Sequence, residues 1–298
     1  MNRKFICFIN PISGTRSKAA LRPLIEKRMT KENFQCQFHD TRKDGIYHFL
    51  PSLIKEQKIT DVIICGGDGT VNQVSSFLLN VDVNVGIIPL GSGNGLAFAA
   101  GISKLSSKAL DTIMSGTPEY IDSFYINRQF SCMLCGIGFD AQVAHDFAQQ
   151  KKRGLATYAK QTMKNFLTAQ AYPFIINVNN NQLKTEAFFI SIANSNQFGN
   201  HVTIAPKASL SDGLLDIVVV NKMNKINMLY SLLRHIKFGK LQPVSENGFS
   251  QKDIQYFQTK KLVIQNPNLA PLHIDGEPTL TSSRFEIEIV EKAFRLVK

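Results

Sequence analysis

Three glycine-rich turns, Asn10-Pro-Ile-Ser-Gly14, Gly66-Gly-Asp-Gly-Thr70 and Gly91-Ser-Gly-Asn-Gly95, each close a short apolar run in the first third of the chain. Those runs, residues 4–10, 61–65 and 83–89, are dense in β-branched and aromatic side chains and too short for buried helices, so they predict strands covered on both faces. Helical patterns at residues 17–33, 45–57 and 70–79 alternate with them, and residues 34–39 read as a further strand. Parallel strands must be joined by crossovers, so this alternation predicts a parallel sheet layered with helices. Turns leaving the carboxyl ends of parallel strands share one edge of the sheet, and topology therefore brings the three together.

Glycine lets a backbone approach phosphate oxygens closely, and a helix that starts just after the turn aims its unpaired N–H groups at the same point. All three turns suit an anion, although strand-to-helix turns also use glycine for geometry alone. Neither a Walker loop nor a Gly-x-Gly-x-x-Gly dinucleotide fingerprint is present. Asp68 is the informative residue: a carboxylate inside a phosphate-cradling loop repels its ligand unless it holds a cation or takes a proton. Capping of the next helix is the structural alternative for it.

From about residue 120 the texture changes to short strands separated by Asn- and Gly-containing turns, at residues 119–127, 129–135, 174–179, 183–193, 214–220, 261–265, 272–275 and 284–290. Helical stretches at 141–169 and 224–238 interrupt them. At 298 residues the chain is long for one core, which predicts two domains, residues 1–122 and 123–298, with the last strand free to return to the first domain. No Pro-rich linker separates the halves, so a shared interface with a cleft is expected.

No run approaches the roughly 20 apolar residues of a spanning helix, and the N-terminus lacks a signal-peptide pattern, so a cytoplasmic protein is expected. Five cysteines give no disulfide framework, and Cys132 and Cys135, spaced as in a metal knuckle, have no second ligand pair nearby and read as buried strand residues. A net charge of +11 implies attraction to something anionic. Between residues 224 and 238, Ile226, Leu229, Leu232, Leu233 and Ile236 recur at helical spacing beside Lys222, Lys225, Arg234, Lys237 and Lys240. That pattern fits either a helix packed on its own domain or one facing an anionic membrane surface.

Late in the chain Ile274-Asp275-Gly276-Glu277 sets two carboxylates around a glycine. Alone it reads as a hairpin turn. Together with Gly66-Gly-Asp-Gly-Thr-Val-Asn72, Pro89-Leu-Gly-Ser-Gly-Asn94 and Gly136-Ile-Gly-Phe-Asp140, in that order, it resembles the lipid kinase family of the soluble bacterial diacylglycerol kinases and the sphingosine kinases. The resemblance implies a Rossmann-like α/β domain of the NAD kinase and diacylglycerol kinase type, followed by an antiparallel β-sandwich domain. It also implies an ATP-dependent lipid kinase of phospholipid metabolism, cytoplasmic and peripheral to the membrane; a homodimer is compatible with it. No zinc finger, RNP-like aromatic motif or basic recognition helix appears in the sequence, so no nucleic-acid partner is expected.

On that resemblance ATP is contacted by Asn10, Pro11, Ser13, Gly14, Thr41, Gly66, Gly67, Asp68, Gly69, Thr70, Asn72 and Ser92. The essential carboxylates are Asp68, Asp275 and Glu277. Asp68 is assigned to magnesium and the proton network and the Asp275/Glu277 pair to deprotonating the lipid hydroxyl, with the choice of base between them open and Glu277 slightly favoured. A magnesium ion is held by Asp212 and the carbonyls of Ser209 and Leu214. The second loop, Gly91-Ser-Gly-Asn-Gly-Leu96, departs from the common bacterial Gly-Thr-x-Asn-Asp-Phe form toward the sphingosine kinase form, which leaves diacylglycerol and a sphingoid base both open. NAD kinases share the Gly-Gly-Asp-Gly-Thr loop, but their Gly-Ser-Thr-Ala-Tyr segment is replaced here by Ala205-Pro-Lys-Ala-Ser209. A non-catalytic nucleotide binder would have no use for three carboxylates near phosphate.

Overall fold

The computed structural model describes residues 3–14, 18–150, 154–179, 181–199, 202–203, 205–228 and 253–298. The N-terminal half runs β1 (Lys4–Ile9), α1 (Leu21–Glu32), β2 (Gln35–Asp40), α2 (Leu50–Gln57), β3 (Asp61–Gly66), α3 (Asp68–Ser75), β4 (Asn84–Pro89), α4 (Gly95–Ala99) and α5 (Ser106–Ser115). The strands pair in parallel in the order β2-β1-β3-β4. Every residue of β3 is buried, as a strand covered on both faces requires. Helices α1 and α2 each end on a left-handed residue, Asn33 and Lys58, whose N–H satisfies carbonyls of the last turn. The predicted helix from residue 45 starts only at Leu50. Gly45, at φ +67°, instead belongs to a turn held by the Asp44 carboxylate, which accepts from the N–H of Ile46 at 3.0 Å.

The second half runs β5 (Pro118–Ile126), β6 (Gln129–Ser131), β7 (Leu134–Gly138), α6 (Phe139–Ala148), α7 (Leu155–Thr168), β8 (Tyr172–Val178), β9 (Asn181–Ala193), β10 (Gln197–Gly199), β11 (Val202–Thr203), β12 (Leu215–Asn221), β13 (Ile254–Thr259), β14 (Lys261–Gln265), β15 (Leu272–Ile274), β16 (Glu277–Thr279) and β17 (Arg284–Val297). Except where β17 meets β4, its pairings are antiparallel, and alternate residues such as Phe174, Ile176, Ile190, Ile192, Ile217, Val219, Ile264 and Ile287 fill one apolar interior between the layers, a β-sandwich.

Two of the sequence expectations are corrected. Residues 129–135, read as one strand, form β6 and β7 with a break at Cys132 and Met133, where the backbone turns its N–H groups toward a carboxylate described below. The helical stretch 141–169 is two helices, the second starting after Gly154 at φ +120°. Most of the stretch 224–238, including Arg234 and Lys237, lies outside the described residues, as does Lys240. No described helix is long and apolar enough to cross a membrane.

Strand β17 joins the halves. Its first part pairs with β14 and β5, and its end pairs in parallel with β4 through Arg295↔Asn84 and Leu296↔Val85. Between Val290 and Phe294 the register shifts and Lys292 adopts φ +51°, a bulge whose freed N–H donates to Asp122 Oδ1 at 2.8 Å.

Candidate functional site

The three glycine turns converge at the carboxyl edge of the parallel sheet. A Cβ on Gly91 would stand 2.5 Å from Gly67 Cα, and one on Gly14 would stand 2.0 Å from the Leu90 carbonyl oxygen. Only residues without a side chain allow the three backbones so close, and Gly14 also needs φ +60°. Side chains tie the turns together. The Asn10 amide donates to Thr70 Oγ1 at 2.8 Å, and Asn10 Oδ1 accepts from the N–H of Ile12 at 3.0 Å. Ser13 Oγ donates to the Asn10 carbonyl at 3.3 Å, and the Thr41 N–H reaches the Ile9 carbonyl at 3.1 Å, next to the first turn. Pro11 is exposed on its outside and Ser92 lies half-buried in the third turn. Asn94, absent from the sequence expectations as a site residue, is buried and clamps that turn: its amide oxygen accepts from the N–H of Gly91 and its amide nitrogen donates to the Gly91 carbonyl, both at 2.8 Å.

Asp68 opens α3, and its Oδ1 accepts from the N–H of Leu96 at 3.4 Å. Burial first, and the neighbouring Asp275 charge second, push its carboxyl up to about 7, against the opposing backbone N–H groups of residues 94–96. Glu277 comes from the other half: a Cβ on Gly69 would stand 3.1 Å from Glu277 Oε1, so this exposed carboxylate lies over the first turn of α3.

Asp275 and Gly276 form the two-residue turn between β15 and β16, at φ +48° and +81°, as an Asp-Gly hairpin turn requires. Its side chain nevertheless points inward and is almost fully buried. Oδ1 accepts from Ser131 Oγ at 2.7 Å and from the N–H groups of Met133 at 3.1 Å and Leu134 at 2.9 Å. Oδ2 accepts from the Asn72 amide at 2.8 Å and the Cys132 N–H at 3.0 Å. A carboxylate so engaged on both oxygens has no geometry left for taking a proton from a substrate. Asn72 is likewise occupied, since its amide nitrogen also donates to the Phe130 carbonyl at 2.8 Å; it faces the second half of the molecule, not the glycine turns.

Behind this turn His273 Nε2 lies 3.4 Å from Asp140 Oδ2, both buried, while His273 Nδ1 accepts from the N–H of Gly276 at 3.2 Å. The two glycines before Asp140 are explained locally. A Cβ on Gly136 would overlap Asp140 Oδ2, and Gly138 takes φ +104°, where a Cβ would stand 2.4 Å from the Phe188 carbonyl oxygen. The sequence offered a signal for Asp140 in its motif, but none for His273 beyond its place before Ile274.

The expected metal turn is compact. Asp212 is exposed, with Oδ1 accepting from the N–H of Leu214 at 3.1 Å, and its carboxyl is raised, first by burial and also by the nearby Asp122 charge. Asp122 is buried beneath it and accepts from the N–H of Gly213 at 2.8 Å. Oxygen donors beside a second carboxylate suit a hard cation. Among the described residues no three His, Cys, Asp or Glu side chains cluster as a metal site, so the backbone carbonyls of Ser209 and Leu214 would have to complete it.

Residues 4–126 match the diacylglycerol kinase catalytic domain, and residues 134–298 match the YegS C-terminal NAD kinase beta sandwich-like domain. The chain is 31% identical over 245 residues to "Probable lipid kinase YegS" of Escherichia coli O1:K1 / APEC, covering 80% of this chain and 77% of that protein. It is 27% identical over 243 residues to "Probable lipid kinase YegS-like" of Shewanella frigidimarina, covering 79% and 75%. A solved diacylglycerol kinase structure from Bacillus anthracis str. Sterne superposes with a TM-score of 0.73 at 20% identity, over 99% of this chain and 96% of that one; at that identity the likeness speaks for the fold.

Proposed function

The chain belongs to the YegS family of lipid kinases, and from that membership we propose that it transfers the γ-phosphate of ATP to a hydroxyl of a membrane lipid, diacylglycerol or a sphingoid long-chain base. The observation that carries this reading is the approach of Glu277 to Gly69: a carboxylate from the β-rich half is held over the glycine loop that carries Asp68. In this reading residues 1–122 bind the nucleotide and residues 123–298 present the lipid.

The turns at Asn10–Gly14, Gly66–Thr70 and Gly91–Ser92 bring backbone N–H groups to the phosphates, with Thr41 beside them. Asn72 and Asp275 hold the two halves in register. Magnesium, when bound, spreads the phosphate charge, and Asp68 is the side chain that would hold it there; Asp212 with the Ser209 and Leu214 carbonyls would hold a second, structural ion. Glu277 takes the proton of the lipid hydroxyl as its oxygen attacks the γ-phosphorus, the new O–P bond forms, and ADP leaves with the bond to its β-phosphate oxygen broken. The basic surface implied by the charge of +11 supports attachment to anionic membranes in the cytoplasm.

The deciding experiment is incubation of the protein with radiolabelled ATP, magnesium and a total lipid extract. Label in a lipid product supports the reading. Label in NADP instead, with NAD supplied, would move the protein to the NAD kinases.

A further inference from the structure

Asp140, which ends the motif Gly136-Ile-Gly-Phe-Asp140, and His273 take no part in the chemistry above, yet both lie behind the turn that carries Glu277. His273 on β15 stands opposite Gly136 on β7 and Pro278 on β16. A Cβ on Gly136 would overlap Asp140 Oδ2 and stand 2.5 Å from His273 Nε2, so this glycine clears the space in which carboxylate and imidazole meet. Both side chains are buried, and burying two such groups is costly unless each is paired.

The two oxygens of Asp140 have different partners. Oδ1 accepts from the N–H of Ala141 at 2.9 Å in the first turn of α6. Oδ2 is buried and faces His273 Nε2 at 3.4 Å. Two other ionisable groups feel this carboxylate. Burial first, and the Asp140 charge second, push the Tyr158 phenol up to about 12, and the Cys135 thiol is raised by burial, then by Asp275 and Asp140. Both therefore stay uncharged at neutral pH and give Asp140 no cation. On the far side of the ring, His273 Nδ1 accepts from the N–H of Gly276 at 3.2 Å. A nitrogen that accepts carries no proton, so the ring proton belongs on Nε2, where the Asp140 charge favours it. Gly276 directly precedes Glu277 and takes φ +81°, so its N–H pins the last backbone unit before the carboxylate that lies over Gly69.

We propose that Asp140 and His273 are positioning residues: Asp140 selects the imidazole tautomer whose bare Nδ1 anchors Gly276, and that anchor aims Glu277 at the glycine loop. The proposal rests on the lipid kinase reading above for what Glu277 does and adds what holds it in place. The competing task for Asp140 is to complement the positive end of α6. Loss of that task would be felt whatever side chain stands at position 273, whereas loss of tautomer control is felt only while a ring is there.

The test combines nitrogen NMR of the full chain, isotope-labelled at histidine, with kinetics on ATP, magnesium and a total lipid extract. The His273 ring is identified by its absence from whichever of His273→Asn and His273→Leu folds. In the native chain it should carry its proton on Nε2 and none on Nδ1. In Asp140→Asn the amide oxygen stays with the Ala141 N–H, so the amide NH₂ faces Nε2 and the ring proton moves to Nδ1, against the N–H of Gly276. That variant should lose at least about tenfold in kcat with the KM for ATP unchanged. His273→Asn, which keeps an acceptor near the Nδ1 position, should retain at least about tenfold more kcat than His273→Leu. Adding Asp140→Asn to His273→Asn should cost less than about twofold more, since no ring is left to misprotonate. A native ring with a proton on Nδ1, an unchanged kcat in Asp140→Asn, or an Asp140→Asn loss just as large beside His273→Asn overturns the proposal while leaving a lipid kinase. If Asp140→Asn does not fold, the native tautomer and the comparison of His273→Asn with His273→Leu decide. If the native chain labels no lipid, the kinase reading falls, and the ring measurement still decides whether Asp140 sets the tautomer that anchors Gly276.

Discussion

The Asn72 amide donates to Asp275 Oδ2 at 2.8 Å although 203 residues separate the two in sequence. One partner belongs to the helix that follows the Asp68 loop and the other to the hairpin turn that carries Glu277, so this bond sets the distance between that glycine loop and the carboxylate facing it. Asp275 also accepts three backbone N–H groups from the break between β6 and β7, which makes it a fastener of the site more than a participant in proton transfer.

Replacing Asp275 and replacing Glu277 should therefore have different signatures. Asp275→Asn turns one acceptor into a donor that faces other donors in a buried place, and should lower unfolding stability by about 3 kcal/mol, read from urea midpoints. Glu277→Gln changes an exposed group, and should leave the midpoint unmoved while cutting kcat at least about a hundredfold. Equal stabilities for the two variants would contradict this division.

Asp68 supplies a pH dependence. Its carboxyl sits at about 7 in the folded chain against 3.8 as its ordinary value. Between those values the folded state keeps a proton that the unfolded state has released, so the raised carboxyl contributes stability that is complete below about 4 and lost as pH rises to about 7. The nucleotide-free protein should thus lose stability from pH 5 to 7 relative to Asp68→Asn. Asp216, raised to about 6 mainly by burial, is common to both proteins and cancels in the difference. Parallel stability profiles would show that Asp68 does not titrate there.

Gly14→Ala places a methyl group against the Leu90 carbonyl at a left-handed φ. The expected outcome is a KM for ATP at least about tenfold higher with lipid binding intact, since a displacement worth about 1–3 kcal/mol falls on the first turn alone. An unchanged KM would remove this turn from the nucleotide site.

Asp212→Ala removes the one side-chain carboxylate of the proposed cation turn. The melting temperature of the native chain should rise on adding magnesium and that of the variant should not, because an ion that binds only the folded state stabilises it by mass action. Equal responses of the two would place no ion there.

The sequence made the parallel half readable because buried strands leave continuous apolar runs, and three glycine turns closing them mark the strand ends. Asp68 and the pair around Gly276 were visible for the same reason: carboxylates stand out against glycine. What could not be read was which way a side chain points. Asp275 lies in a dipeptide that makes an ordinary hairpin turn, and the same residue is also the buried acceptor for Asn72, Ser131 and the 132–134 backbone; only the tertiary fold unites the two roles. The break at Cys132 and Met133 was hidden because a run of buried apolar residues looks the same whether its N–H groups face a neighbouring strand or a carboxylate. His273 and Asn94 gave no periodic signal at all.

Strand β17 has a consequence for how the molecule is made. The parallel sheet leaves the β4 edge open until Arg295 and Leu296 reach it, more than two hundred residues after Asn84 and Val85. Pairings so distant in sequence form late and slowly. As the chain emerges from the ribosome, the glycine turns exist long before the strand that closes their sheet, and the hairpin carrying Glu277 follows them almost as late. A growing chain can thus hold the glycine turns without the carboxylate that the finished fold sets over Gly69.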